Sequence, residues 1–177
     1  TAMPPVRRFW HRKPTDAHRS RCPVRLCRRG FRLNVPDLSL QSGERLAIVG
    51  PSGSGKPTLL NLNAGILTPE SGDIRVADTV VSTLPDAGRR RFRARQIGFV
   101  FQDFALLDYL SARQNILYPF RITPALALDT AARDRAEALA AACGSADKLD
   151  RHPTARSQGE QQRVAICRAL VTQPKLI

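Results

Sequence analysis

No stretch of this 177-residue sequence approaches the roughly 20 consecutive apolar residues of a membrane-spanning helix, so the chain is not expected to cross a bilayer itself. Nothing in its opening residues resembles a secretory cleavage site, and the first apolar run lies well inside the chain. The four cysteines, Cys22, Cys27, Cys143 and Cys167, show no CxxC spacing, which argues against a metal site or a disulfide framework. Cys143 and Cys167 sit among alanines and aliphatics, where a reduced, buried thiol is expected, in keeping with a cytosolic setting. Acidic residues are scarce, 15 against 28 Lys and Arg. The imbalance is local: residues 1–32 hold ten of the basic residues and one Asp. A basic arm can touch nucleic acid or an anionic membrane, but this one has no helical or strand period and reads as a solvated tail. No specific nucleic-acid partner is expected. The start at Thr1 rather than Met reads as a fragment or an incomplete gene prediction.

What is present is an alternation of short apolar runs and helical patterns. Residues 1–30 receive no element and read as a basic, unpatterned segment, disordered or translated out of frame. Order is expected from Phe31, where FRLNV alternates as a short strand. Leu46-Ala47-Ile48-Val49 has the continuous apolar character of a fully buried strand. A Gly/Ser loop and a helix ending near Gly65 follow. Asp73–Val76 and Thr79–Val81 read as a hairpin turning at Ala77-Asp78, and Asp86–Arg95 as an arginine-rich helix with a solvated face. Ile97–Phe101 is a second apolar strand, closed by Gln102. Helices are expected from there to about residue 155. One has Asp129 as N-cap, Ala132, Ala136, Leu139 and Cys143 on one face, and Gly144 as its stop. This order implies an α/β domain with parallel core strands.

Gly50-Pro51-Ser52-Gly53-Ser54-Gly55-Lys56 lies between the apolar strand and the helix, the context that a phosphate-binding loop requires. Its backbone N–H groups must converge on phosphate oxygens, which glycines permit, and the helix N-terminus adds its dipole. Lys56 supplies a point charge for the terminal phosphates. The next position, which should carry Ser or Thr, is Pro57, with Thr58 behind it. Proline has no hydroxyl for Mg²⁺ and no N–H for phosphate, yet a helix accepts it in its first turn. The sequence thus predicts weakened nucleotide binding with little turnover. A second motif, Ser157-Gln158-Gly159-Glu160-Gln161, opens a helix through an S-x-x-E capping box.

Taken together with the loop, RSQGEQQRVAICRAL resembles the signature of ATP-binding cassette (ABC) ATPases, and Gln102 in IGFVFQDFALL resembles that family's Q-loop. GERLAIVGPSGSGK and TLLNLNAGILTPESG look most like the bacterial lipoprotein-release and macrolide-export branch. The resemblance implies an α/β P-loop NTPase (RecA-like) core with a small antiparallel β part and a helical subdomain. Residues 31–102 would form the nucleotide-binding core up to the Q-loop, 103–155 the helical subdomain, and 156–177 the signature helix with its return to the core. It implies an ATP-binding subunit hydrolysing ATP with Mg²⁺, peripheral on the cytoplasmic face of the cell membrane. Its partners would be a membrane permease, which chooses the substrate, and a second cassette in a head-to-tail pair. Gly50, Pro51, Ser52, Gly53, Ser54, Gly55, Lys56 and Thr58 would bind nucleotide, and Gln102 would sense metal and attacking water. Ser157, Gln158, Gly159, Glu160 and Gln161 would contact nucleotide across the pair.

Departures from the family pattern are as specific as the matches. Arg156 stands for the usual leucine before the signature serine, and Asn63 for an aliphatic that the P-loop helix would bury. The adenine-stacking aromatic is absent upstream of Phe31, where Arg25-Leu26-Cys27 stands. Lys175-Leu176-Ile177 would open the strand that carries the Walker B aspartate and catalytic glutamate, so the sequence reads as a cassette truncated before Walker B, its core incomplete at the C-terminus. His11, His18 and His152 do not replace the switch histidine. Two other readings stay open. A non-enzymatic remnant is favoured by Pro57 and the missing carboxylates. A DNA-repair-type ABC ATPase would need a long heptad coiled coil where Gln102 and Ser157 are only 55 residues apart.

Overall fold

In the computed structural model of the chain, the described residues are 24–28, 31–35 and 37–177. His11, His18 and Cys22 fall outside them, and of Cys27 only the backbone is described. The chain divides into two compact units, the first ending at Arg90 and the second beginning at Arg91.

The first unit opens on an antiparallel pair, β1 (Val24–Arg28) and β2 (Phe31–Val35), in register Leu26 to Leu33. Val24, Leu26 and Leu33 are buried while Arg25, Arg32 and Asn34 are exposed, the period-two alternation of a half-buried strand. β1 therefore lies inside the segment to which the sequence assigned no element. Its apolar residues are too few and too interrupted by arginine to signal a strand without the partner that FRLNV supplies. The β1 backbone also bonds outward, from Arg25 N–H to Ser71 O at 3.0 Å and from Glu70 N–H to Arg25 O at 2.8 Å.

Helix α1 (Lys56–Asn63) accepts Pro57 in its first turn, as its missing N–H would have no intrahelical acceptor there. Leu59 and Leu62 face the core, and Gly65, at φ 65°, ends the run as expected. Asn63 is half-buried rather than enclosed, so this position does not impose the cost of a sealed amide. The hairpin of β3 (Arg75–Val76) and β4 (Thr79–Val80) turns at Ala77-Asp78, with Ala77 left-handed. Helix α2 (Asp86–Gln96) carries the arginines; Arg89 and Arg90 pair with Asp86 one turn earlier.

The expected parallel core strands do not form as ladders among the described residues. Leu46-Ala47-Ile48-Val49 has no strand partner, and Val49 is 83 % exposed. Of Ile97–Phe101 only Ile97 pairs, in parallel with Leu176, with Gly98 N–H donating to Leu176 O at 2.8 Å. An apolar run states the need for flanking strands but does not supply them. At Gly98 a β-carbon would lie 2.6 Å from Ala169 O, so only glycine lets this backbone approach the helix end so closely.

Helices α3 (Ala112–Arg121), α4 (Thr130–Ala142) and α5 (Gln158–Leu170) enclose the core of the second unit. Ile116, Leu117 and Phe120 of α3, Ala132, Ala136 and Ala140 of α4, and Val164 and Cys167 of α5 form one buried cluster, with Leu139 and Cys143 packed against it. Asp129 caps α4 by accepting from Ala132 N–H at 2.8 Å, and Gly144 follows at φ 64°, as the sequence indicated. The alanine stripe lets α4 approach its neighbours closely. Cys143 and Cys167 are free thiols, Cys167 fully buried.

Candidate nucleotide-binding and signature sites

The phosphate-type loop belongs to the first unit. Gly53 and Gly55 are left-handed, at φ 79° and 88°, and Gly55 stands immediately before α1. At Gly50 a β-carbon would meet Ser54 Oγ at 2.9 Å, so the loop closes tightly there. Lys56 folds back over this ring. Its Nζ donates to Gly50 O at 2.7 Å, Pro51 O at 2.8 Å and Ser54 Oγ at 3.3 Å. The three ammonium protons thus brace the loop, and an incoming phosphate would compete for them. Pro51, Ser52 and Gly53 are exposed, and Pro57 faces solvent beside them without N–H or hydroxyl.

The signature residues belong to the second unit. Ser157 is the N-cap of α5, and its hydroxyl accepts from Glu160 N–H at 3.4 Å while Glu160 Oε2 accepts from Ser157 N–H at 2.8 Å. This is the reciprocal capping box that the sequence indicated. Lys148 Nζ donates to Glu160 Oε1 at 2.5 Å. That bond, then the Ser157 backbone and hydroxyl, lower the Glu160 carboxyl to about 2. Gln161 is turned away from the helix tip, its amide donating to Pro153 O at 3.0 Å and Arg156 O at 3.4 Å. Ser157, Gln158 and Gly159 are exposed at the positive end of the helix dipole.

Arg156, immediately before them, is only 7 % exposed. Its Nη2 donates to Lys148 O, but Nε and Nη1 are buried without a partner. Burial lowers its pKa first of all; Glu160 and Asp147 oppose this, while Arg151 and Arg163 add to it. The charge at an apolar packing position, expected from the sequence, is present and poorly satisfied.

Gln102 is exposed and begins a segment with no helix or strand. That segment is held by residues the sequence reading missed. Asn115 of α3, fully buried, accepts from Leu107 N–H at 2.8 Å and donates to Leu107 O and Leu110 O at 3.1 and 3.0 Å. Arg168 of α5 donates to Phe104 O and Ala105 O, each at 2.6 Å. Ser111, which caps α3 in a box with Gln114, was legible by the rule used for Ser157. Asn115 and Arg168 have no comparable local pattern: the carbonyls bonded to Arg168 are 63 and 64 residues away, and those bonded to Asn115, though nearer, lie on an irregular segment with no period of its own. His152 is exposed. Among the described residues no helix is long and apolar enough to cross a membrane.

Residues 33–177 match the ABC transporter family. The lipoprotein-releasing system ATP-binding protein LolD of Pseudomonas fluorescens is 45% identical over 142 residues, which are 79% of this chain and 61% of that protein. The macrolide export ATP-binding/permease protein MacB of Syntrophobacter fumaroxidans is 42% identical over 141 residues, 79% of this chain and 20% of the relative. A solved ATP-binding cassette, a dimer in a post-hydrolysis state bound to ADP and Pi, superposes with TM-score 0.70 at 30% identity, covering 88% of this chain and 69% of its own. The fold is therefore that of a P-loop NTPase cassette, and the chain spans about three-fifths of the length of its LolD relative.

Proposed function

The chain belongs to the ABC transporter family, and on that premise we propose that it is an ATP-binding subunit which couples ATP binding and hydrolysis to transport through a separate membrane permease. It works at the cytoplasmic face of the membrane, paired head to tail with a second cassette. The observation that carries this reading is the loop Gly50–Lys56, with two left-handed glycines opening α1 and the Lys56 ammonium poised over its carbonyls. Backbone N–H groups of Gly53, Ser54 and Gly55, with Lys56 and Thr58, take the phosphates of ATP. Ser157 and Gly159, with Gln158, Glu160 and Gln161 shaping the helix tip, meet the nucleotide held by the partner cassette. Residues 31–102 are the nucleotide-binding core, 103–155 the helical subdomain and 156–177 the signature helix and return.

The residues present do not fit a fully held Mg²⁺. The side chain at position 57 offers no oxygen, which leaves Gln102, an exposed amide, as the family-type ligand. A subunit that binds nucleotide without turning it over is the second reading, favoured by Pro57; phosphate release in the steady state separates the two. Restoring the hydroxyl and N–H by Pro57→Ser should tighten Mg-ATP binding about ten- to a hundredfold, the worth of one hydrogen bond to a charged group. Titration with a fluorescent ATP analogue reads the change. No tightening would refute the assignment of this loop.

A further inference from the structure

We propose that Arg168 is a positioning residue that fixes the segment after Gln102 onto the signature helix, so that the two move as one piece. The inference rests on the roles given above to Gln102 and Ser157. Between Phe101 and Leu110 the backbone has no ladder or helix, and side chains take up its carbonyls: Phe104 and Ala105 bond to Arg168, Leu107 and Leu110 to Asn115, and a ring nitrogen of His152 lies 3.2 Å from Asp108 O. Asn115 belongs to α3 and His152 to the loop before α5; Arg168 belongs to α5 itself.

The two carbonyls that Arg168 holds come from the strained part of the segment. Phe104 and Ala105 are consecutive non-glycine residues in the left-handed region, at φ 60° and 43°. Each carries a β-carbon that crowds the backbone there, and such residues persist only where surroundings over-determine them. One local bond supports the turn, Phe104 N–H to Phe101 O at 3.1 Å. The planar guanidinium adds two adjacent, charge-assisted bonds at 2.6 Å. A lysine ammonium at the same place lacks that fixed fork. Burial lowers the pKa of Arg168, and Asp103, beside the turn, opposes that by favouring the charge.

Arg168 is eleven residues beyond Ser157 along one uninterrupted helix, about 16 Å at 1.5 Å per residue. The helix is a rod with Ser157 at its tip and the Gln102 segment clamped near its other end. A displacement of the Gln102 turn therefore reaches Ser157 through α5, without needing the helix core to repack.

The test is amide hydrogen exchange on the full chain without nucleotide, comparing wild type, Arg168→Lys, Ala105→Gly and the double variant. Arg168→Lys should speed exchange of the Phe104 amide about tenfold while the amides of residues 164–167 hold their rates. Glycine adopts the left-handed backbone unaided, so with Ala105→Gly present the same lysine substitution should change the rate less than about threefold. Equal effects in the two backgrounds would mean that Arg168 only packs, and would overturn the proposal. Should Arg168→Lys fail to fold, recovery of folding in the double variant supports the anchor and failure of both overturns it. Absence of nucleotide binding would count against the proposed function alone, because this comparison is made on the unliganded chain.

Discussion

Replacing Arg156 by leucine should stabilise the protein, although it deletes a charge next to the signature motif. The guanidinium is 7 % exposed, and of its three nitrogens only Nη2 has an acceptor, Lys148 O. Two buried donors without partners cost about 1–3 kcal/mol each, and a buried leucine of similar reach recovers about 2 kcal/mol of apolar burial. Against this stand the lost bond to Lys148 O, about 1.5–3 kcal/mol, and the attraction of Glu160 and Asp147, partly cancelled by Arg151 and Arg163. The balance is a gain of about 2 kcal/mol. For a chain of this size that raises Tm by about 4–8 °C. Thermal and urea unfolding of the full chain measure it, with an unchanged urea m-value marking the comparison as one between like states. An equal or lower Tm for Arg156→Leu would show that the arginine is better satisfied than its geometry indicates, and would sink the argument.

Other perturbations probe the same region. Asn115→Leu fills the volume but orphans Leu107 N–H and Leu110 O, while Leu107 O keeps the Leu110 N–H, and should cost about 3 kcal/mol in urea unfolding; a loss under about 1 kcal/mol would remove Asn115 as the anchor of that loop. The Glu160 carboxyl is held at about 2 in the folded chain, below its ordinary 4.5, so its contribution is complete above about pH 4.5 and is lost as pH falls through 2. Carboxyl NMR should show that depressed midpoint, and Lys148→Met should raise it; a wild-type midpoint above 4 contradicts the Lys148 bond. Burial, and then hydrogen bonding with Cys143, push the Cys167 thiol up to about 12. At pH 8 an alkylating reagent should therefore modify Cys143 and spare Cys167 until urea is added, as peptide mass mapping would reveal; labelling of native Cys167 would contradict its burial.

The features that the sequence determined by itself are local. The capping box of Ser157 and Glu160, the Asp129 cap with its Gly144 stop, the hairpin at Ala77-Asp78 and the glycine pattern around Lys56 depend on residues within a few positions of each other. Their physics is complete within one turn or loop, so a one-dimensional reading captures it. The family motifs are legible for the same reason, being short runs of neighbouring residues.

Tertiary structure decided whatever needed a distant partner. β1 exists because Leu26 finds Leu33, although arginines interrupt its pattern. Leu46-Ala47-Ile48-Val49 reads as a buried strand and stands without a ladder, since burial and pairing are gifts of neighbouring strands rather than properties of the run. Arg168 and Asn115 acquire their roles only when α5 and α3 bring them against the carbonyls of the Gln102 segment. Hydrogen-bond acceptors on an irregular backbone leave no trace in sequence periodicity, and only the packed fold shows which side chains answer them.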